Sequence, residues 1–428
     1  MSTAASLGKR SYDDRLSPTA SLDSKTRRTE DGGEDDKANT TPLLIKVDLK
    51  RSQTQMIGIQ KPVQITSFSY DEKRRLFHDD RSKKYYHFPP QNANLNRGYE
   101  TKIERDESIN EHLDSLLDAL MQDKEIEGHQ KQADLITWRG MMTKLCTVLY
   151  EDQQGFEMNI MMLDGTLYIE EHVGEAKLAD RKRSKEGSER SKRNGYYGYS
   201  FESWTCHSWR EWGQNANAWD GDVNTNVQWC SVVKTKLGNM RLILGGEVDA
   251  VDPISNAPIE VKTSRDIRSA KDEEFFEKKM LRFYMQSFLL CIQRIIVGFR
   301  DNRGYLVTNQ EMDTLAMPRA VRGKPHAWDP MACLKAASDI LEAVKTHLST
   351  HTQQNNWPDV KEAENSQAFP VFRLAYVPSR LEENDKQLTL TKLTQEQILN
   401  EVKGGKEEGY VGFLTSKYYQ HVRKGHVE

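Results

Sequence analysis

Two spacings of hydrophobic residues alternate along the chain and predict a mixture of helices and strands. Apolar residues three or four positions apart predict helices in 108–127, 136–149, 269–297 and 330–348. Alternating or short continuous apolar runs predict strands within 43–100, 156–169, 197–204, 227–233, 240–250, 295–308 and 371–377. The two kinds of element are interspersed, with no internal repeat and no clear linker. We therefore expect an α+β fold, a single large domain with mixed β-sheets flanked by helices.

The two ends of the chain differ from this pattern. Residues 1–42 are rich in Ser, Thr, Asp, Lys and Gly, so we expect a disordered N-terminal tail. Two basic clusters in it, Lys9–Arg10 and residues 25–28, would suit a bipartite nuclear signal, although ordinary tail charge explains them as well. Residues 43–380 form the predicted main domain, and 381–428 a C-terminal extension of it. The charged segment 175–193 predicts an exposed loop or a solvated helix.

Composition restricts the class of protein. The net charge of −3 over 428 residues gives no global basic signature, so nucleic-acid binding would need a local basic channel. The five cysteines are scattered and none forms a CxxC pair, which argues against a cysteine-only zinc site and fits a reducing compartment. The sequence shows no secretory signal and no apolar run long enough to cross a membrane, so we expect an intracellular protein.

One short stretch, residues 245–262 (GGEVDAVDPISNAPIEVK), concentrates charge between apolar runs. Its pattern predicts two strands joined by a turn. Glu247 and Asp249 share one face of the first strand, and Glu260 and Lys262 share one face of the second. Paired as a hairpin, the strands would bring three carboxylates and one ammonium together. Such a cluster suits one or two Mg²⁺ or Mn²⁺ ions, and a lysine beside them can hold a phosphate oxygen, as in a metal-dependent phosphodiester hydrolase.

The alternative is that these charged residues form an ordinary solvated face, the usual meaning of charge at alternate strand positions. The flanking residues are apolar: Val248 and Ala250 beside the first pair, Ile259 and Val261 beside the second. They predict half-buried strands, in which unpaired acids are costly. The apolar neighbours therefore favour a functional cluster.

Three further positions would complete such a site. Glu202 lies in the aromatic run GYSFESW, where a lone glutamate is more often a rim residue but would here supply a fourth carboxylate. Lys279, Arg282 and Gln286 have helical spacing and can present cations and an amide to phosphates, or merely form a polar helix face. Arg139 is a lone arginine in an otherwise apolar helix.

Taken in order, these motifs resemble the decapping exoribonuclease family of RNA 5′-end hydrolases, whose core is of the PD-(D/E)xK nuclease type. The matching elements are the arginine of WRG, the GYxFE box, the ExD and ExK strands and the glutamine of QSFL: Arg139, Gly198–Glu202, Glu247–Asp249, Glu260–Lys262 and Gln286. The strand and turn 297–306 also resemble the family. The resemblance covers roughly residues 43–377, and implies that the main domain is a catalytic decapping nuclease domain.

The resemblance also implies roles for individual residues. Five would be catalytic: Glu202, Glu247, Asp249, Glu260 and Lys262. The metal ligands would be Glu202, Asp249, Glu260 and the backbone carbonyl of Val261, with Glu247 holding a metal-bound water or a second ion. Substrate binding would fall to Arg139, Lys262 and Gln286. The cofactor would be Mg²⁺ or Mn²⁺, between which oxygen ligands do not choose.

The implied activity is hydrolysis of defective or non-canonical RNA 5′ ends. It comprises release of pyrophosphate from 5′-triphosphate RNA, removal of an incompletely methylated cap dinucleotide and removal of an NAD cap, each leaving a 5′-monophosphate. Some members of the family also remove nucleotides one after another. We expect the RNA 5′ end as partner, no membrane, and a nuclear location, with the cytoplasm as second choice.

Two other functions stay open at this point. The chain could act mainly as a non-catalytic stabilising partner of a nuclear 5′→3′ exoribonuclease, a role known among fungal members of the family. It could also be a DNA endonuclease built on the same core, although the GYxFE box and Gln286 argue against this.

Overall fold

Two β-sheets lie at the centre of the computed structural model. The structure describes residues 41–122, 124–210, 218–352, 357–365, 368–378 and 385–427, and Thr41–Glu428 belong to one compact unit. The expected tail, up to residue 40 and including both basic clusters, lies outside the described residues. The first nine strands are β1 Leu43–Asp48, β2 Val63–Tyr70, β3 Leu76–Phe77, β4 Tyr85–Tyr86, β5 Leu135–Trp138, β6 Phe156–Leu163, β7 Thr166–His172, β8 Cys206–His207 and β9 Gln228–Leu237.

The remaining strands complete the two sheets and a small hairpin. They are β10 Met240–Glu247, β11 Ala250–Val251, β12 Pro258–Arg265, β13 Arg294–Arg300, β14 Leu306–Asp313, β15 Phe372–Tyr376, β16 Asp385–Lys392, β17 Tyr410–Val411 and β18 Leu414–Thr415. The ten-stranded sheet has the order β1-β16-β15-β6-β7-β5-β10-β9-β2-β3, and the six-stranded sheet has the order β14-β13-β12-β11-β4-β8. Strand β16, from the C-terminal extension, thus lies inside the larger sheet.

Twelve α-helices accompany the sheets in the described residues. They are α1 Leu49–Thr54, α2 Asp114–Leu120, α3 Lys124–Gln130, α4 Arg139–Thr147, α5 Glu175–Lys185, α6 Glu189–Thr205, α7 Ala270–Leu289, α8 Met317–Val321, α9 Pro330–Ser349, α10 Val360–Asn365, α11 Gln395–Gln397 and α12 Ser416–Val427. Short 3₁₀ turns span Val148–Tyr150 and Thr314–Ala316, and a π-helical turn spans Ile398–Val402. None of the described helices is long and apolar enough to span a membrane.

Helices cover both sheets and bury three apolar cores. Helices α4 and α9 pack on one face of the ten-stranded sheet, α7 packs against α4, and α2, α3 and α12 contribute to the core on the other face of that sheet. Helix α6 packs on β12 of the six-stranded sheet. The predicted α+β class with mixed sheets and flanking helices is confirmed. The domain boundary placed at residue 380 stays a prediction.

Several predicted elements match the structure closely. The run 156–169, predicted to form strands, contains β6 and the start of β7, and the two residues of the turn between them, Asp164 and Gly165, have positive φ. Helix α7 begins after Ser269, whose hydroxyl accepts a hydrogen bond from the backbone N–H of Asp272. Helix α9 begins at Pro330. The charged segment 175–193 contains the solvated helix α5, which was one of its two interpretations.

The prediction of a strand over 197–204 is wrong, because these residues lie in helix α6. Aromatic residues favour strands in general, but here Tyr197, Phe201 and Trp204 are spaced by three or four positions. All three are buried, so the helix places them on the face that packs against the smaller sheet. Tertiary burial thus outweighs local strand propensity. The helix predicted over 136–149 is also partly wrong, since strand β5 occupies its start.

Candidate active site

Two adjacent glycines let strand β10 approach the start of helix α4. A Cβ atom on Gly245 would lie 2.9 Å from the ring of Trp138, and one on Gly246 would lie 3.0 Å from Cβ of Arg139. Strand β10 pairs with β5 in parallel, with Gly245 opposite Trp138. The glycines therefore hold Arg139, the first residue of α4, next to the end of β10, where Glu247 follows.

The predicted hairpin exists in a modified form, because the chain changes sheets between Glu247 and Asp249. Glu247 is the last residue of β10 in the larger sheet, whereas β11 begins at Ala250 and pairs with β12 in the smaller sheet. The two strands that carry the acids are thus not paired with each other, and a simple hairpin was the wrong geometry. Asp249 lies at the junction, and its Oδ2 accepts a hydrogen bond from the backbone N–H of Val261 at 2.7 Å.

Strand β12 places a buried acid between two cations. Glu260 is 1 % exposed, and its Oε1 forms an ion pair with Nζ of Lys262. Nη1 of Arg139 lies 3.6 Å from Oε2 of Glu260, and this oxygen has no hydrogen-bond partner. Nζ of Lys262 also lies 3.9 Å from Oδ2 of Asp249. The sheet junction therefore brings Arg139, Asp249, Glu260 and Lys262 together, as the motifs predicted.

Helix α6 supplies the fourth carboxylate through close packing on strand β13. A Cβ on Gly298 would lie 2.6 Å from the ring of Phe201, a fully buried residue of α6. This contact sets α6 directly on the smaller sheet, with Glu202 next along the helix. Asp249, Glu247 and Lys262 are close enough to Glu202 to affect the pKa of its carboxyl group.

Burial and mutual repulsion make these acids hard to ionise. Burial, followed by the negative charges of Asp249 and Glu247, raises the pKa of Glu202 well above its ordinary value. Burial and the charge of Glu260 raise the pKa of Asp249 to about 7, and the same two causes raise the pKa of Glu247. A cluster of this kind stabilises a bound cation, because a cation removes the repulsion.

Burial would raise the pKa of Glu260 as well, but Lys262 and Arg139 hold it below its ordinary value. Burial opposes the charge on Lys262, but Glu260 and Asp249 raise the pKa of its ammonium. Both side chains therefore stay charged at neutral pH, and the ammonium of Lys262 occupies the space between two acids. Among the described residues, no group of three acidic, His or Cys side chains is arranged to hold a metal.

The donor set nevertheless fits a hard divalent cation. Its oxygens come from four carboxylates, which are the ligand type that Mg²⁺ and Mn²⁺ prefer. The unbonded Oε2 of Glu260 and the raised pKa values of Glu202, Glu247 and Asp249 are the features that a cation would relieve. The residues that would hold the ion are Glu202, Asp249 and Glu260, with Glu247 close by.

Two predicted residues meet the cluster through their backbones. The carbonyl of Gln286, on α7, accepts a hydrogen bond from Nη1 of Arg139 at 3.2 Å, so the glutamine lies beside the arginine. The N–H of Val261 orients Asp249, as described above. The roles of the Gln286 side chain and of the Val261 carbonyl stay predictions.

Two residues near the site were missed by the sequence analysis. Nε2 of Gln228, on β9, donates to Oε2 of Glu247 at 2.8 Å. Nζ of Lys84 lies 3.1 Å from Asp220, and Glu202 is among the acids that raise the pKa of Lys84 against its burial. No sequence pattern around Gln228 or Lys84 points to the site, because each residue reaches the site from a strand or loop that is distant in sequence.

Comparison with known proteins decides the family. Residues 60–419 match the family described as RAI1-like PD-(D/E)XK nuclease. This chain belongs to that family. The matched span contains every motif residue from Arg139 to Gln286, which confirms the resemblance stated for the sequence. The roles of the individual site residues stay predictions.

Known relatives of this RAI1-like nuclease cover most of the chain. A protein named decapping nuclease RAI1 from Mycosarcoma maydis is 36 % identical over 86 % of this chain and 88 % of its own length. The structure of S. pombe Rai1 in complex with 3′-FADP is 26 % identical, with a TM-score of 0.63, over 82 % of this chain and 100 % of that one. Candida albicans Rai1 in complex with pU5-Mn²⁺ is 24 % identical, with a TM-score of 0.72, over 90 % and 99 %, and shows the shared fold.

Proposed function

We propose that this RAI1-like nuclease is a divalent-metal-dependent hydrolase of RNA 5′ ends, acting as a decapping nuclease and pyrophosphohydrolase. The observation that carries the proposal is the convergence of Glu202, Glu247, Asp249 and Glu260 on Lys262 and Arg139. Acids alone would suit a cation, but the two adjacent cations add groups that bind phosphate oxygens. The relatives named decapping nuclease RAI1 support RNA as the substrate.

Separate side chains of this protein can bind the phosphate and accept a proton from the attacking water. The guanidinium of Arg139 can bind two phosphate oxygens through its planar fork. The ammonium of Lys262 stays charged, and can leave Glu260 to contact the phosphate at the reaction centre. Glu247, oriented by Gln228, can accept a proton from the attacking water. A bound divalent ion would polarise the phosphate and lower the pKa of water.

The finer proposal concerns which 5′ ends are hydrolysed. We propose 5′-triphosphates, incompletely methylated caps and NAD caps as substrates, all cleaved beside the first transcribed nucleotide to leave a 5′-monophosphate. A single centre suffices because the bond attacked always joins phosphorus to oxygen next to that nucleotide. A distributive 5′→3′ exoribonuclease activity would use the same groups on the following phosphodiester.

The test is direct. Purified protein is incubated with RNA bearing each 5′ end, and with single-stranded DNA, in Mg²⁺ or Mn²⁺, and the released small molecule is identified. We expect pyrophosphate, a cap dinucleotide or NAD from the RNAs. The Asp249→Asn protein, folded by circular dichroism, serves as matched control and should release none. Cleavage of DNA without action on any RNA 5′ end would favour the endonuclease alternative instead.

The second candidate is the stabilising partnership with a nuclear 5′→3′ exoribonuclease, together with a nuclear location. What favours it is the product, since a 5′-monophosphate is the end on which such an exonuclease begins. The two functions are compatible. Co-purification of both proteins from nuclear extract would support the partnership, and separate elution at micromolar concentration would contradict it.

A further inference from the structure

A chain of hydrogen bonds leads from Glu247 to a turn at one end of the larger sheet. Nε2 of Gln228 donates to Oε2 of Glu247 at 2.8 Å, and Oε1 of Gln228 accepts from Nη1 of Arg74 at 2.6 Å. Arg74 lies in the turn between β2 and β3, and β2 pairs with β9 so that Tyr70 is opposite Gln228. The turn therefore begins beside the residue that contacts Glu247.

Arg74 fixes which end of the Gln228 amide faces Glu247. A guanidinium carries only donors, whereas a side-chain amide has donors at one end and an acceptor at the other. Arg74 can therefore bond only to Oε1, and this bond turns Nε2 towards the carboxylate of Glu247. Glu247 by itself also favours the amide N–H, but the bond from Arg74 holds the opposite end of the side chain. Without Arg74, the amide is free to rotate away from the carboxylate.

The guanidinium of Arg74 is itself firmly held. Its Nε and Nη2 donate to the two carboxylate oxygens of Glu111 at 2.8 and 2.7 Å, which makes a bidentate pair. Nη1 also donates to the carbonyl of Asn226 at 3.1 Å, and Cζ lies 3.6 Å from the ring centre of Tyr70. The side chain is 15 % exposed. A guanidinium fixed in this way keeps the amide of Gln228 in one position.

The backbone of Arg74 is strained in a way that its side chain explains. Arg74 has a φ of +60°, a conformation that glycine adopts freely and that other residues adopt at a cost. A glycine here would relieve the strain but would leave Oε1 of Gln228 without its donor. Strained conformations of this kind cluster at functional sites. The conformation therefore points to a function for the side chain of Arg74.

The far end of the chain of hydrogen bonds is anchored in the core. Glu111 precedes His112, whose Nδ1 lies 2.6 Å from Oε2 of Glu170, and both of these side chains are almost fully buried. A second arginine, Arg105, lies 3.4 Å from Oε2 of Glu111. Glu111 therefore keeps its position and a cationic partner when Arg74 is replaced.

We propose that Arg74 is a positioning residue for hydrolysis, which acts through Gln228 to hold Glu247 in the orientation that accepts a proton from the attacking water. The inference rests on the proposed function and deepens it, because it names the residue that controls the proton acceptor. The hydrogen bonds of Arg74 do not involve Arg139 or Lys262, the residues proposed to bind phosphate. Replacing Arg74 should therefore lower kcat and leave KM for RNA almost unchanged.

The first experiment measures kcat and KM on 5′-triphosphorylated RNA at saturating Mn²⁺. Arg74→Met keeps a long side chain over Tyr70 but has no donors, and Gln228→Leu removes the amide. We expect each variant to lose about tenfold in kcat, with KM changed less than about twofold. Arg75→Gln is the matched control and should keep the wild-type values, because Arg75 is the adjacent arginine, is mostly exposed and pairs with Asp71. A change in KM without a change in kcat would overturn the proposal.

The double variant separates positioning from a general loss of active protein. If Arg74 acts only through Gln228, adding Arg74→Met to Gln228→Leu should lower kcat by less than about twofold more. Multiplied losses, about 100-fold in total, would overturn the proposal, because Arg74 would then act independently of Gln228. Arg74→Lys keeps one donor for Gln228 and should recover most of kcat, and a kcat as low as that of Arg74→Met would contradict the proposal.

Melting temperatures show whether each variant is folded. If Arg74→Met does not fold, Glu111→Gln takes its place in the double variant, since it weakens the hold on Arg74 and keeps a neutral acceptor. The same limit applies to the combined loss with Gln228→Leu. A multiplied loss in that pair would overturn the proposal in the same way.

The second experiment reports the position of the amide without metal or substrate. In protein labelled with ¹⁵N-glutamine, the side-chain signal of Gln228 is identified by its absence from Gln228→Leu, and exchange of its N–H protons with water is measured. Exchange should be at least about tenfold faster in Arg74→Met than in the wild type, and unchanged in Arg75→Gln. Equal exchange in the wild type and Arg74→Met would overturn the proposal. A wild-type protein that hydrolyses no RNA 5′ end would instead contradict the proposed function, and the exchange rates would still show whether Arg74 holds the amide.

Discussion

Replacing Asp249 by asparagine should change stability and activity in opposite directions. The carboxylate is 11 % exposed, and burial and Glu260 raise its pKa from 3.8 to about 7. Asparagine removes the charge and keeps an oxygen that can accept the N–H of Val261. A residue needed only for packing would lose stability and activity together, so the opposite signs identify a group held in place for a cation.

The magnitude follows from proton linkage. An acid whose pKa is higher in the folded than in the unfolded protein takes up a proton on folding. Its charged form therefore destabilises the metal-free protein increasingly from about pH 4 to pH 7. The difference between 3.8 and about 7 corresponds to about 4 kcal/mol at pH 7 and above. Asp249→Asn should raise the free energy of unfolding by up to that amount, and the gain should disappear as pH falls to 4.

The assay is urea unfolding in EDTA between pH 4 and 8, followed by activity in Mn²⁺ or Mg²⁺. We expect the variant to lose at least about 100-fold in kcat, because a lost metal ligand removes several kcal/mol of transition-state stabilisation. Glu407→Gln, an exposed acid, is the matched control and should change neither quantity. A metal-free variant that is less stable than wild type at pH 7 would refute the repulsion argument, and full activity would refute the ligand role.

Further predictions concern packing, protonation, orientation and the metal. Gly298→Ala should overpack the ring of Phe201, cost about 1–3 kcal/mol by thermal unfolding and lower kcat, whereas Gly195→Ala, with open space around it, should be neutral or mildly stabilising. Burial and a neighbouring imidazole lower the pKa of His207 to about 4, so stability should fall by about 3 kcal/mol as pH drops from 6.5 to 4, and His207→Gln should flatten that profile. The indole N–H of Trp138 donates a 2.9 Å hydrogen bond to the carbonyl of His112 and so holds the chain next to Arg139. Trp138→Phe removes this bond and should raise KM for RNA more than it changes kcat. An unchanged KM would contradict a role of Trp138 in orienting Arg139. Chelation should abolish hydrolysis and lower the melting temperature, both reversed by Mn²⁺.

Much of the fold was predictable because local chemistry and tertiary packing agree there. The turn at Asp164–Gly165 needs positive φ at both residues, which Asp and Gly tolerate, so a hairpin follows from the dipeptide and its flanking strands. Helix α6 was mispredicted because its aromatic residues favour a strand locally, whereas their spacing of three or four positions and the packing of Phe201 favour a helix. The change of sheet after Glu247 was equally invisible, since pairing partners such as Trp138 lie far away in sequence.

The residues of the candidate site could be predicted from the sequence where a charged residue has apolar neighbours. Glu247 and Asp249 stand out because Val248 lies between them, and Glu260 and Lys262 stand out because Val261 lies between them. Gln228 is uncharged and does not stand out from its sequence neighbours in this way. Its hydrogen bond to Glu247 depends on the pairing register of β9 and β10, which no short sequence pattern predicts.

The acids are divided between two sheets and a helix, and this arrangement affects how the site would respond to a bound metal ion. Carboxylates on one strand would keep a fixed spacing, but here Glu247 ends β10, Asp249 lies at the junction before β11, and Glu202 is on α6. Without a cation, Lys262 compensates Glu260 and lies near Asp249, which leaves the other acids with raised pKa values. A divalent ion held by Glu202, Asp249 and Glu260 would take the place of the ammonium and leave Lys262 free to bind phosphate. Metal binding and substrate binding would then be coupled through this one side chain. Lys262→Met should uncouple them, keeping metal-induced stabilisation while abolishing hydrolysis.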